Sequence, residues 1–155
     1  MRSCFCSTGW KYDWHCICES IIRELQITDY DQFSKLINIF SKTYFSFDQF
    51  KDFLENEKNT KIYVLEDNNI LLACGTILFE KKFIHNLSLY AHIEDIIVCT
   101  KYQKKGYGKL LIQNLINICK ERKCYKILLD CHNNLIPFYE KNGFISNGYQ
   151  MVIYL

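Results

Sequence analysis

The chain of 155 residues has little of what would direct it to nucleic acid, a membrane or export. Nineteen Lys and Arg against seventeen Asp and Glu leave a formal net charge of only +2, with no long basic run, so nucleic-acid binding is not expected. No apolar stretch approaches the ~20 residues a helix needs to span a bilayer. Arg2 is followed by no continuous apolar segment, so a secretory signal is not expected either. There is a single proline, Pro137, and there are only six glycines. What the chain does have is a 49% hydrophobic and 15% aromatic composition, which argues for one globular domain with a real core and against disorder.

Nine cysteines are present. Cys74, Cys99, Cys119, Cys124 and Cys131 fall at expected strand and helix positions, and the number is odd, which fits reduced thiols of a cytoplasmic protein. Cys4, Cys6, Cys16 and Cys18, with His15 beside the last pair, invite a zinc or palmitoylation reading. Their C-x-C spacing matches structural zinc sites poorly, so no metal is expected. Residues 1–18 show no periodicity and read as a Cys-rich extension, with Trp10 and Trp14 resting on the domain formed by residues 19–155.

Residues 21–26 read as a short strand, and Thr28 as the cap of a helix with Asp29 and Asp31 in its first turn. Phe33, Leu36, Ile37 and Phe40 then give that helix one apolar face. Ser46 with Gln49 is the capping-box signature of a second helix, to about residue 56. Residues 61–66 and 70–79 read as strands joined by an Asp67-Asn68-Asn69 turn. A helix over 109–122, a strand over 126–131, a short helix around Pro137 ending at Gly143, and closing strands over 144–145 and 149–155 complete the reading.

The stretch from Ala91 to Lys109, AHIEDIIVCTKYQKKGYGK, organises the rest. Its first half reads as a buried strand containing two adjacent acids, Glu94 and Asp95. Adjacent side chains of a regular strand point to opposite faces, so either this strand lies at an edge or a bulge redirects one acid. Its second half is a basic loop with two glycines leading into a helix. Such a junction can hold a pyrophosphate, through the unpaired first-turn N–H groups and the positive end of the helix dipole. The same loop also closes many strand–helix turns that bind nothing.

The pattern Gln103-x-x-Gly106-x-Gly108 resembles the acetyl-CoA loop of the GNAT superfamily of N-acetyltransferases. HIEDI, KYQ-x-x-G-x-GKLLI, CYKI-x-LDC and FYEK-x-GF, in that order, are similar to the branch that acetylates glucosamine 6-phosphate. The detailed likeness covers about residues 82–151, and the general pattern extends back to residue 21. It implies an α/β (α+β) fold: a central mixed, mostly antiparallel, splayed β-sheet with helices on both faces. It also implies acetyl-CoA as co-substrate without a metal, and a homodimer built through the C-terminal strands.

On that resemblance the cofactor meets the main chain of Ile96, Ile97 and Val98. It also meets the loop Gln103, Lys104, Lys105, Gly106, Tyr107, Gly108 and Lys109, together with Asn134 and Tyr139. The amino sugar meets Ser41, the Lys82-Phe83-Ile84-His85 segment, Glu94, Asp95 and Asp130, with Tyr125 and Lys126 reaching it across the dimer interface. Asp130 is the residue expected to orient and help deprotonate the amine, with Glu94 accepting from it, and Tyr139 the one expected to protonate the departing sulfur. Two departures stand out. The family's last-strand Arg, which helps hold the sugar phosphate, is replaced by Tyr154, and the Gly before HIED is Ala91. Losing an Arg from a phosphate weakens binding by ~1.5–3 kcal/mol unless other groups compensate. Three other readings stay open: the same fold acting on a protein N-terminus or polyamine, a non-catalytic acyl-CoA sensor, and a redox or zinc module.

Overall fold

A computed structural model describes residues 20–155. The Cys-rich segment with Cys4, Cys6, Trp10, Trp14, His15, Cys16 and Cys18 lies outside the described residues. Among the described residues five strands form one sheet in the order of the chain: β1 (Ile21–Glu24), β2 (Thr60–Asp67), β3 (Ile70–Lys81), β4 (Leu89–Val98) and β5 (Lys126–Leu128). The first four pair antiparallel, and β5 runs parallel to β4. A parallel neighbour needs a crossover, and α4 (Tyr107–Glu121) provides it. The remaining helices are α1 (Tyr30–Ile37), α2 (Phe47–Asn56), α3 (Ile84–Leu87) and α5 (Ile136–Glu140). The middle section of α3 is a left-handed turn, with His85 and Asn86 at φ 53° and 59°.

The two faces of the sheet carry separate apolar clusters. Leu111, Ile112, Leu115 and Cys119 repeat at helical spacing along α4 and are buried with Leu72, Ile77, Ala91 and Ile93 of the sheet. Phe33, Leu36 and Phe50 from α1 and α2 cover Val64, Leu71, Cys74 and Ile97 on the other face. Each fully buried aliphatic side chain contributes about 1.5–3 kcal/mol. This is why β2 and β3, covered on both sides, read as nearly continuous apolar runs.

Local chemistry sets most boundaries. Ser46 accepts from the Gln49 N–H while the Gln49 side chain accepts from the Ser46 N–H, so the capping box forms as expected. Asn68 and Asn69 both take positive φ (49° and 61°), which suits the tight turn between β2 and β3. Gly143, at φ 92°, ends α5; the Phe144 N–H returns to the Tyr139 carbonyl and the Gly143 N–H to that of Glu140.

Several expectations are corrected. Thr28 does not cap α1. A single 3₁₀ turn over Ile27–Asp29 precedes it, because Asp29 is drawn inward to accept from the Gln26 N–H and to grip Arg23. Phe40 falls beyond α1 and is exposed. The crossover helix starts at Tyr107, two residues earlier than expected. β5 stops at Leu128, so Asp130 lies past its end. Residues 144–145 and 149–155 form no strand; among the described residues no strand pairs with them, and Met151, Val152, Ile153 and Leu155 are exposed.

Candidate active site

A bulge in β4 resolves the problem of two adjacent acids. Cys74 of β3 pairs with Ile97 and Thr76 with Glu94, so Gly75 alone faces both Asp95 and Ile96. Asp95 adopts φ 50°, the left-handed conformation that aspartate tolerates better than most residues. Both carboxylates are consequently exposed, although they are neighbours in a strand whose flanks are buried. Gly75 is needed opposite the bulge. A Cβ there would meet Ile96 Cδ1 at 2.5 Å and Leu115 Cδ1 at 2.9 Å.

Just beside the bulge the sheet opens. β5 pairs with β4 only through Tyr90, Ala91 and His92, so from Glu94 to Val98 the main chain of β4 has no strand on that side among the described residues. Unpaired strand edges present donors and acceptors that an extended amide-containing ligand can complete. The α4 N-terminus follows through the basic loop. Gly106 is its N-cap residue at φ 91°, and Lys104 also takes a positive φ of 61°. Gly108, by contrast, has no positive φ, and a Cβ there would meet only ordinary contacts at 3.6 Å and beyond. Gly106 is therefore the position where backbone geometry demands glycine. The Gln103 side chain donates to the Val98 carbonyl at 3.1 Å, tying the loop to the open strand. Lys104, Lys105 and Lys109 stand exposed around that mouth, and Tyr107 is buried beneath it.

Glu94 stands on β4, Asp130 just past β5, and Tyr139 on α5. Although Glu94 reaches solvent, partial desolvation of its carboxyl, then the charges of Asp130 and Asp95, push it above its ordinary range, while nearby His92 opposes them. Asp130 is exposed and accepts from the Gln150 amide at 2.7 Å. Tyr139 of α5 is 8% exposed, its ring edge-on to Phe138 and Phe144. Burial pushes its phenol up, with Cys131 adding to the shift, so the hydroxyl keeps its proton at neutral pH. That hydroxyl has no hydrogen-bond partner among the described residues. Asn134 sits exposed in the 3₁₀ turn leading to α5. Cys131, half-buried, has no activating base in hydrogen-bond reach among the described residues.

At the far end of β4 a cationic cluster surrounds one ring. Tyr90 is buried opposite Lys126 in the β4–β5 register. The Lys126 ammonium sits 5.0 Å from its ring centroid and that of Lys82 5.5 Å. His85 stacks on Tyr125 at 4.3 Å, and Tyr125 in turn on Tyr90 at 5.6 Å. Phe83 and Ile84 of the same segment are exposed, so the structure brings Lys82 and His85 to the cluster but turns these two outward. Ser41 lies exposed past α1, and its main-chain N–H is held by the Ile37 carbonyl. Sequence reasoning missed Tyr90, which carries no signal of its own, and Gly75. An isolated glycine within a strand pattern is a sign of a bulge or close approach that was there to be read.

Comparison with known proteins agrees with this architecture. The sequence pattern of the acetyltransferase (GNAT) family matches residues 22–144. Glucosamine 6-phosphate N-acetyltransferase 1 of Dictyostelium discoideum is 38% identical over 140 residues, covering 86% of this chain and 89% of that protein. The glucosamine 6-phosphate N-acetyltransferase of Candida albicans is 33% identical, covering 84% of this chain and 92% of that protein. The crystal structure of glucosamine-6-phosphate N-acetyltransferase from Arabidopsis thaliana superposes with a TM-score of 0.80 at 31% identity, over 87% of this chain and 97% of that one. The bulged, half-unpaired β4, the Gly106 loop and the family match agree, and the chain belongs to the acetyltransferase (GNAT) family.

Proposed function

We propose that this chain transfers acetyl from acetyl-CoA to the 2-amino group of glucosamine 6-phosphate, releasing N-acetylglucosamine 6-phosphate and CoA. The observation that carries the acceptor is the arrangement along one face of β4. Tyr90, with Lys82 and Lys126 about it, and Glu94 share that face at a spacing of four residues. That is ~13 Å of strand before the side chains reach inward. A small molecule with a phosphate at one end and an amine at the other suits these opposite charges. A polyamine would meet lysines where it needs acids. Relatives of this length named for the same reaction support the reading.

Acetyl-CoA supplies a thioester whose carbonyl carbon the amine attacks. The chain's own groups supply the rest. First-turn amides of α4 and the lysines of the loop suit the pyrophosphate, and the unpaired β4 main chain suits the pantetheine amides. A β4 N–H donating to the thioester oxygen favours charge developing there. Asp130 and Glu94 orient the ammonium and accept its proton, directly or through water. The C–N bond forms as the C–S bond breaks, and Tyr139 gives its proton to the departing sulfur. No covalent intermediate on the protein is needed.

The homodimer and a cytoplasmic setting belong to the same proposal. The exposed apolar tail over residues 149–155 supports a second copy as its cover. Among the described residues no helix is long and apolar enough to cross a membrane. Tyr154, in that tail, is exposed and uncharged, so Lys82, Lys126 and His85 are left to hold the phosphate.

The test is release of CoA from acetyl-CoA with glucosamine 6-phosphate, glucosamine or a short peptide as acceptor. Products should be separated by chromatography, since nine protein thiols would react with a thiol reagent. Turnover that strongly favours the phosphorylated sugar is expected. Turnover with the peptide alone would overturn the acceptor and spare the fold, and acetyl-CoA binding without turnover would favour a sensor.

A further inference from the structure

The cationic cluster around Tyr90 contains one carboxylate, Glu80, and its geometry is unusual for a surface acid beside a phosphate site. Glu80 pairs with Tyr90 in the β3–β4 register, so both side chains leave the same face of the sheet. One Glu80 oxygen accepts from the Lys82 ammonium at 2.7 Å, and the other lies 3.1 Å from His92 Nε2. His92 is opposite Leu78, on the diagonal from Glu80 and on the same face as Tyr90 and Glu94. The carboxylate is thus held both from the chain just past β3 and from β4.

We propose that Glu80 is a positioning residue for the acceptor's anionic end, fixing the Lys82 ammonium over Tyr90 beside that of Lys126 while His92 fixes Glu80 itself. This rests on the glucosamine 6-phosphate reading above. Lys82 follows the last residue of β3 and has a flexible four-carbon stem whose ordering opposes any ligand it must meet. A partner that places the ammonium beforehand removes that cost from the binding step. The hydrogen bond from Lys82, with a smaller one from His92, holds the Glu80 carboxyl below its ordinary range, so it is ionised at neutral pH. An exposed ion pair adds little to fold stability, and its effect is expected in binding. Simple electrostatics makes the opposite forecast: a carboxylate near a phosphate repels it, and its removal should tighten binding.

The two ideas separate in initial-rate kinetics of the full chain with Glu80→Ala, Glu80→Gln, Lys82→Ala and the Glu80→Ala/Lys82→Ala pair. Positioning predicts that E80A raises KM for glucosamine 6-phosphate about tenfold, with kcat and KM for acetyl-CoA little changed. E80Q, which retains an acceptor for Lys82, should recover most of that loss. The double variant should be no worse than K82A, because Glu80 acts through Lys82. Turnover of unphosphorylated glucosamine and the unfolding temperature should not move. An unchanged or lowered KM in E80A, an additive double variant, or an equal loss with glucosamine would each overturn the role while leaving the acceptor assignment intact. A wild-type chain that does not distinguish glucosamine from its 6-phosphate would overturn the acceptor assignment, and this role with it.

Discussion

Replacing Gly75 by alanine tests whether the β4 bulge is what builds the site. The added Cβ would stand 2.5 Å from Ile96 Cδ1, 2.9 Å from Leu115 Cδ1 and 3.6 Å from Leu111 Cδ2. The first two distances are far inside van der Waals contact, so Ile96 and Leu115 must both move. Overfilling a packed interior costs about 1–3 kcal/mol. The atoms in the way are the ends of aliphatic side chains, which places this substitution in the lower part of that range. Alanine returns roughly 0.4–1 kcal/mol by restricting the unfolded chain. The net loss is then about 1 kcal/mol, or roughly 3–4 °C in Tm for a domain of this size. Activity should fall by much more than that figure suggests. Ile96 is the second residue of the bulge, and moving it disturbs Asp95 at φ 50° and the acids beside the open strand. Thermal unfolding followed by circular dichroism, with initial rates on the same preparation, makes the comparison. A variant with unchanged Tm and unchanged kcat would refute the reasoning. A variant that lost stability but kept full activity would show that the bulge does not govern the chemistry.

Tyr139→Phe should lower kcat by about 10²-fold or more, the usual scale for losing a general acid, and leave the Tm close to wild type, since the ring contacts remain and the hydroxyl has no protein partner among the described residues. Gly106→Ala should cost about 1–2 kcal/mol, because a side chain is strained at φ 91° even with open space around it, whereas Gly108→Ala should be neutral or slightly stabilising; thermal melts distinguish them. Arg23 holds Asp29 through two hydrogen bonds, at 2.7 and 2.9 Å, and also binds Glu66. Burial alone would push the Asp29 carboxyl up; bonds from Arg23 and the Gln26 N–H outweigh it and hold it below its ordinary value. Its contribution to stability is thus present above the unfolded pKa and lost as pH falls through the folded one. Arg23→Ala leaves Asp29 with the Gln26 N–H alone, so it should cost about 1–3 kcal/mol at neutral pH. Denaturant titrations across pH 3–7 should also show the carboxylate slope weakened, because the Arg23 bonds that lower Asp29 are gone while its burial remains.

How much could be read beforehand depended on how local the signal was. The Ser46–Gln49 capping box, the Asn68-Asn69 turn and the Gly143 stop each involve residues within a few positions of one another, and each forms as expected. The adjacent acids Glu94 and Asp95 announced either an edge strand or a bulge, since a regular buried strand cannot expose both. Thr28 was misread because the decisive partner of Asp29 is Arg23 on β1, outside the local pattern. The closing strands failed for a related reason. Residues 149–155 have strand-like composition, but a strand exists only where another strand pairs with it, and none does within the chain described.

By itself the sequence was enough to determine the order of β1 to β5 and of α1, α2, α4 and α5, the strand–loop–helix junction at Gly106, the need for a bulge or an edge at Glu94-Asp95 and the family pattern. These follow from side-chain periodicity, turn chemistry and capping, all short in range. Tertiary structure alone decided that the irregularity is a bulge, that Gly75 lies opposite it, and that β5 leaves β4 after His92. It also decided that Lys82, His85, Tyr125 and Lys126, from two segments some forty residues apart, gather around Tyr90, with Glu80 joining Lys82 to His92. Those features depend on which strands pair, in what register and where pairing stops, and the balance that sets them is summed over the whole packed sheet.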